Sequence, residues 1–276
     1  MENLIYHYTD LDALQGIIGK DICLWGTRYD CLNDPYEQMW AGDVIFKSIA
    51  QQEEFQDIPI DEIKNVFAKN SFIISFCKRP DYRNMWRLYC NDGNGICLAF
   101  DKDVVINHSI NNRNNNPLDR YDLFDEVEYS DRTDIDDIVR KKLKKEEYNF
   151  MDEEEPSQLM RIAPFIKNKE FAIEEETRYA RIRDIKQICF SYNEKKGGVG
   201  DENYYMNEND CKYRIRNNKL IPYLDIRFPA EALKEIIVGY ALDFNNCKIY
   251  LENYLKEFGN IYDSIEIRKS KQNETF

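Results

Sequence analysis

The stretch IEEETRYAR, residues 173–181, holds the residues of this chain best suited to chemistry. If it is a strand, Glu174, Glu176 and Arg178 project from one face. Two carboxylates that close repel each other, so one must be shielded or raised in pKa, as in many acid–base sites. A solvated, charged strand in which Arg178 neutralises a glutamate satisfies the same pattern. Near the start, LIYHYTDLDAL carries His7, one of only two histidines in 276 residues. On a strand, Ile5, His7 and Thr9 share a face, which sets two hydrogen-bonding groups beside a helix N-terminus, where a ribose or phosphate could be held. The plainer alternative is a core histidine bonded to a backbone carbonyl, and the residues alone weigh toward it. In LNDPYE, Asp34 and Glu37 could serve as a metal or acid–base pair. The same spacing is that of a capping box, worth about 1 kcal/mol to a helix. We read the box, which leaves Asn33 free to face a ligand.

Other motifs are missing. GGVG lacks the spacing and the Lys-Ser/Thr of a phosphate-binding loop, and neither G-x-S-x-G nor H-E-x-x-H occurs. The eight cysteines form no C-x-x-C pair and histidines are scarce, which argues against a zinc site. Several cysteines sit in apolar runs such as DICLW, FIISFC and GICLAF, where a reduced thiol packs as a small hydrophobe. A net charge of −13 opposes diffuse binding to nucleic acid or anionic membrane, without excluding a local basic groove. The N-terminus has no basic region followed by an apolar one, and no apolar run approaches the roughly 20 residues of a membrane span. These features predict a cytoplasmic protein with free thiols.

The elements that must position these residues follow from patterning. LIYHY predicts a strand, with Thr9 capping a short helix over Leu11–Ile18 that Gly19 ends. ICLW predicts a second strand, and Pro35 behind Asp34 a helix to about Phe55. SFIISFC is a buried strand, and DYRNMWRLYC a helix with Met85, Trp86 and Tyr89 on one face. The turn NDGNG and strand ICLAF follow. Residues 101–165 lack sustained apolar runs and read as a polar, charged, helical elaboration on one domain of 1–276. It contains a possible strand at DEVEYS. After the strand EEETRYARI and the loop KKGGVGDEN come strand (LIPYLDIRF), short helix, strand (EIIVG), helix and strand (SIEIRK). Strands outnumber long helices without regular interleaving, which predicts α+β.

The order YHYT, LNDPYE, ISFC, MWxxY, GICLAFD, FxxExExR and LxxIIVG resembles that of a widespread bacterial family known as a domain of unknown function. The resemblance runs from Leu4 to about Ser270. That family is in turn distantly similar to the ADP-ribosyltransferase superfamily, including DNA-targeting toxins that open on a Tyr-His-x-Thr strand. The resemblance implies a single domain with a split, mostly antiparallel sheet around a cleft. It implies that His7, with Tyr8 and Thr9 in the same motif, holds the ribose of NAD. It places Ser75 on the middle strand beside the nicotinamide and Tyr89 as a stacking ring. Arg178 and Asn33 join the binding set, Glu176 drives transfer, and Glu174 stands two before it. This chain has Cys77 where the family usually has Ser, and Thr177 where it has an aromatic. Which of the three adjacent glutamates is catalytic depends on strand phase alone.

The chemistry suits these residue types. Breaking the nicotinamide–ribose bond passes through an oxocarbenium-like state, which one carboxylate stabilises while a second takes a proton from the incoming nucleophile. No metal is needed. The expectation is an NAD-dependent ADP-ribosyltransferase acting on a protein or nucleic acid, as a toxin or phage-defence effector with a neutralising or regulatory protein partner. The alternative is a non-catalytic module that senses NAD or a related nucleotide. A nucleic-acid-processing enzyme built on Asp34, Glu37 and Glu176 is disfavoured by the capping box and the acidic charge.

Overall fold

Alternating apolar residues build most of the strands, and the computed structural model describes residues 3–34, 45–47, 59–115, 120–131, 133–143, 155–183 and 211–272. In chain order the first elements are β1 (Leu4–Asp10), α1 (Leu14–Ile17), β2 (Ile22–Arg28), α2 (Ile60–Lys69), β3 (Ser71–Cys77), α3 (Arg83–Tyr89), β4 (Gly95–Asp101) and α4 (Lys102–Asn115). Then come β5 (Arg120–Glu126), β6 (Glu128–Ser130), α5 (Ile135–Leu143), α6 (Glu155–Ile162), β7 (Ile166–Asn168) and β8 (Glu176–Arg183). The last are β9 (Lys212–Arg216), β10 (Lys219–Phe228), β11 (Leu233–Val238), α7 (Phe244–Lys256) and β12 (Glu266–Lys269). The class is α+β, with a mostly antiparallel sheet.

Ten of the described strands form one sheet in the order β12-β11-β4-β1-β3-β2-β10-β9, with β8 added to β3 and β5 to β8. Only β11 and β12 pair in parallel within it; β6 and β7 form a separate parallel pair. Strand β3 is the joint. One of its edges is paired with β8 along its whole length, from Ser71↔Ile182 to Cys77↔Glu176. The other edge is shared: β2 takes its start, at Thr27↔Ile73 and Arg28↔Phe72, and β1 takes its end, at Tyr6↔Cys77. Between those contacts β1 and β2 part, and the sheet opens over Ile74–Phe76.

Residues on one face of the sheet, among them Ile5, Phe72, Ile74, Phe76, Ile96 and Phe100, pack with Leu251 and Leu255 of α7. On the other face, Ile73, Leu123, Ala180 and Ile182 pack with Phe67, Val139 and Leu159 from α2, α5 and α6. Beside them Tyr6, Tyr8, Cys97 and Ala99 pack with Met85 and Trp86 of α3. The segment 101–165 therefore does more than elaborate, since it supplies β5 to the sheet and two helices to a core.

Two local expectations change. Thr9 is not the cap of α1: β1 continues through it to Asp10, whose Oδ1 accepts the Ala13 N–H at 2.8 Å. Glu174 is not on β8 but ends a 3-10 turn over Lys169–Glu174. The helix expected behind Pro35 lies outside the described residues except for Ile45–Lys47, which is helical. The loop KKGGVGDEN also lies outside them.

Candidate functional site

Ser75 is the exposed residue of an otherwise buried strand. It lies where β1 and β2 diverge, so among the described residues its carbonyl has no strand partner on that edge. His7 takes the place: its Nδ1 is 3.0 Å from the Ser75 carbonyl oxygen, and its ring lies edge-on to Phe76 at 5.9 Å. That carbonyl contact is the plainer reading of His7, and it occurs at the mouth of the split, on a half-buried residue. Burial pushes the His7 pKa below its usual value, and the charge of Arg214 works in the same direction.

Ser75 and Glu176 lie on one sheet face, through the pairs Ser75↔Arg178 and Cys77↔Glu176, and the serine hydroxyl adds to what holds the Glu176 carboxyl down. Glu176 opens β8, and its two oxygens accept from Arg178 Nε at 2.8 Å and Nη2 at 3.0 Å. Lys167 on β7 bridges the two carboxylates, with Nζ 2.7 Å from Glu174 and 3.3 Å from Glu176. The Tyr89 hydroxyl donates to Glu174 at 3.1 Å, and the Glu176 N–H donates to the Tyr129 hydroxyl at 2.8 Å. Burial opposes ionisation of Glu176, but Arg178 and Lys167 outweigh it and hold the carboxyl at about 2. Glu176 is thus a permanent anion at neutral pH. Burial, and then Glu174, push the Tyr89 hydroxyl up, so it stays a donor. Glu174 and Glu176 converge although one is in a turn, because Glu175 between them adopts a left-handed conformation, φ 44°.

His7, Ser75, Glu176, Glu174 and Tyr89 therefore form one connected set. The remaining expected residues have other employment. The Tyr8 side chain is buried in the α3-side core; its hydroxyl donates to the Arg79 carbonyl at 2.9 Å and accepts the Tyr82 N–H at 2.8 Å, tying β1 to the loop after β3. Arg178 is 1% exposed, and its third nitrogen donates to the Pro164 carbonyl at 2.6 Å. It positions Glu176. Thr9 is half-buried and pairs with Ile96 in the ladder. Asn33 is exposed in the loop after β2, with no contact to the connected set among the described residues.

Sequence patterning missed Lys167 and Tyr129, which carry no motif of their own. It also missed a group on β2, β9 and β10. The register from Ser75 through Ile73, Thr27, Tyr223 and Ile221 puts Ser75, Trp25, Tyr223 and Arg214 on one sheet face. The Trp25 and Tyr223 rings are 4.9 Å apart, and the Arg214 guanidinium lies over both, at 5.2 and 5.9 Å. The only sequence signal was Asn217-Asn218, a pair suited to a tight hairpin and so to a strand on each side.

Among the described residues no group of three His, Cys, Asp or Glu is placed to hold a metal, and no helix is long and apolar enough to cross a membrane. Residues 85–179, about a third of the chain, match the model of a family described as a protein of unknown function (DUF2971). The matched span holds Tyr89, Lys167, Glu174, Glu176 and Arg178 and stops short of Arg214; His7 and Ser75 precede it. No curated protein and no solved structure matches the chain.

Proposed function

We propose that the chain transfers ADP-ribose from NAD to a macromolecular acceptor, a protein or nucleic acid, as a toxin or defence effector. The observation that carries the reading is the meeting of His7, Ser75 and Glu176 where the sheet opens. In the reaction the bond between ribose C1′ and the nicotinamide nitrogen breaks, and its electron pair stays on that nitrogen. C1′ becomes electron-poor, and the fixed negative charge of Glu176 stabilises it. An acceptor nucleophile then bonds to C1′ and gives up a proton, which Glu174 accepts. His7 and Ser75 orient the ribose, and the Tyr89 ring stacks on nicotinamide.

One observation favours a second reading, a module that binds NAD without cleaving it. Both oxygens of Glu176 are already engaged by Arg178 and Lys167, and the residue is 4% exposed.

Nicotinamide release from NAD separates the two readings. Glu176→Gln alone is an unsuitable control, although it is nearly isosteric. It leaves Arg178 and Lys167 facing a neutral amide, and breaking a buried ion pair costs about 3–5 kcal/mol. Glu176→Asp keeps the charge but withdraws the carboxylate. We expect wild-type protein to release nicotinamide, and Glu176→Asp to melt near wild type with release down at least 100-fold. Wild-type protein that binds NAD and releases none establishes the sensor; Glu176→Asp with wild-type turnover removes Glu176 from the chemistry.

A further inference from the structure

We propose that Arg214 is an anion-binding residue that receives a phosphate group, and that in the site at the sheet split this is the diphosphate of NAD. Assigning the phosphate to NAD rests on the transferase reading; the anion site does not. Arg214 stands on β9 with its guanidinium over Trp25 and Tyr223. One nitrogen donates to the Thr27 hydroxyl at 2.7 Å, and Nε is buried with no hydrogen-bond partner among the described residues. A buried donor without an acceptor is costly, and for a charged group more so.

The neighbouring cations are provided for. Lys212 lies 2.6 Å from Asp225 and Arg227 lies 3.8 Å from it. Arg28 is paired with Asp30 at 2.7 Å, and Arg216 donates to the Cys31 carbonyl at 2.5 Å. Arg214 makes no ion pair among the described residues. Asp10, whose charge favours the Arg214 cation, makes no ion pair with it among the described residues; its Oδ1 accepts the Ala13 N–H. Burial and the neighbouring charge of Arg216 both work against the Arg214 cation. In a chain of net charge −13, a carboxylate could readily have been supplied; a planar, two-donor fork left without one is suited to phosphate oxygens.

Trp25 and Tyr223 also wall an open groove of about 350 Å³ beneath α1, bordered by Cys23, Lys212, Asp225 and Arg227; Arg214 stands over the same two rings without lining this groove. A volume of that order suits part of a small ligand. Arg214 shares a sheet face with Ser75, and its field reaches the His7 ring. His7 leans to the opposite face, against Phe76, so one ligand with a phosphate at Arg214 and a ribose at His7 passes through the split.

The test is calorimetric titration of inorganic pyrophosphate into the wild-type chain, Arg214→Gln and Arg214→Lys, with melting temperatures of the unliganded proteins. We expect wild-type protein to bind pyrophosphate, Arg214→Gln to lose at least tenfold in affinity, and Arg214→Lys to fall between them. Arg214→Gln should melt no lower than wild type, because an unrelieved charge has been removed. Pyrophosphate binding unchanged in Arg214→Gln, or absent in wild type, overturns the site. Loss of binding in Arg214→Gln beside no nicotinamide release by wild type keeps the anion site and removes the transferase. Nicotinamide release by Arg214→Gln with a wild-type KM for NAD keeps the transferase and overturns the assignment of the NAD diphosphate to Arg214.

Discussion

A backbone carbonyl can only accept, so the 3.0 Å contact with Ser75 fixes the proton of the His7 imidazole on Nδ1 and leaves Nε2 as an acceptor. An acceptor is what a ribose hydroxyl requires, provided the ring stays neutral. Two effects keep it so: burial, and then the charge of Arg214. The sign for stability follows. A histidine whose folded pKa lies below its unfolded value of about 6.5 takes up its proton more easily when unfolded, so its contribution to stability is lost as pH falls below about 6.5. We expect NMR titration to find His7 uncharged at pH 7, with an apparent pKa under 6.5. Arg214→Gln should move that pKa upward, because a neighbouring positive charge has gone. With only two histidines in the chain, a His108→Gln variant makes the assignment unambiguous. A His7 that titrates at 6.5 or above, unmoved by Arg214→Gln, would separate the two residues and dismantle the pairing of ribose and phosphate subsites.

The turns decide where the elements deliver these side chains. Asn217 and Asn218 both adopt positive φ, 49° and 59°, as a two-residue hairpin with the twist of its strands demands. Their short polar side chains tolerate that region, whereas alanine costs roughly 1–2 kcal/mol at each position. The hairpin sets β9 against β10 with Arg214 opposite Ile221. We therefore expect Asn217→Ala with Asn218→Ala to lower the melting temperature and weaken pyrophosphate binding together, and Asn217→Gly to preserve both. Full pyrophosphate affinity in the double alanine variant would mean that the turn does not govern Arg214. The same residues show what was legible in the sequence. Strands β1, β3, β4, β8, β10 and β11 announce themselves by apolar alternation or by short apolar runs. Strand β9, KYRIR, is polar because it lies at a sheet edge with three of its five residues exposed, and its pattern is that of a loop. Glu174 was placed with Glu176 for the wrong local reason: a left-handed Glu175, not strand phase, brings them to one lysine. Lys167 was unreadable, since its role exists only once β7 folds beneath β8.

Taken as a whole, the sheet is two arms hinged on one strand. β4, β11 and β12 continue from β1 on one side, β10 and β9 continue from β2 on the other, and β3 meets each arm through only one or two register pairs. The motif order in the sequence pointed to a split sheet, but the width of the opening and the side chains along it depend on pairings between residues far apart in the chain, such as Thr27↔Ile73 and Tyr6↔Cys77. A ligand held by His7 on one arm and Arg214 on the other must tie the arms together. This has an expected signature in hydrogen exchange, where backbone protection reports local opening. In the free protein, β4 and β8, paired on both edges along their length, should exchange slowest, and the β9 edge fast. Adding NAD to Glu176→Asp, where turnover is low, should slow exchange in both the second half of β1 and in β9, while β12, remote from the split, stays unchanged. Protection restricted to β1 would place the ligand on His7 alone and deny Arg214 a share in it. Protection restricted to β9 and β10 would put the nucleotide in the groove beside Trp25, away from Glu176, and a carboxylate that the ligand never meets could not support transfer.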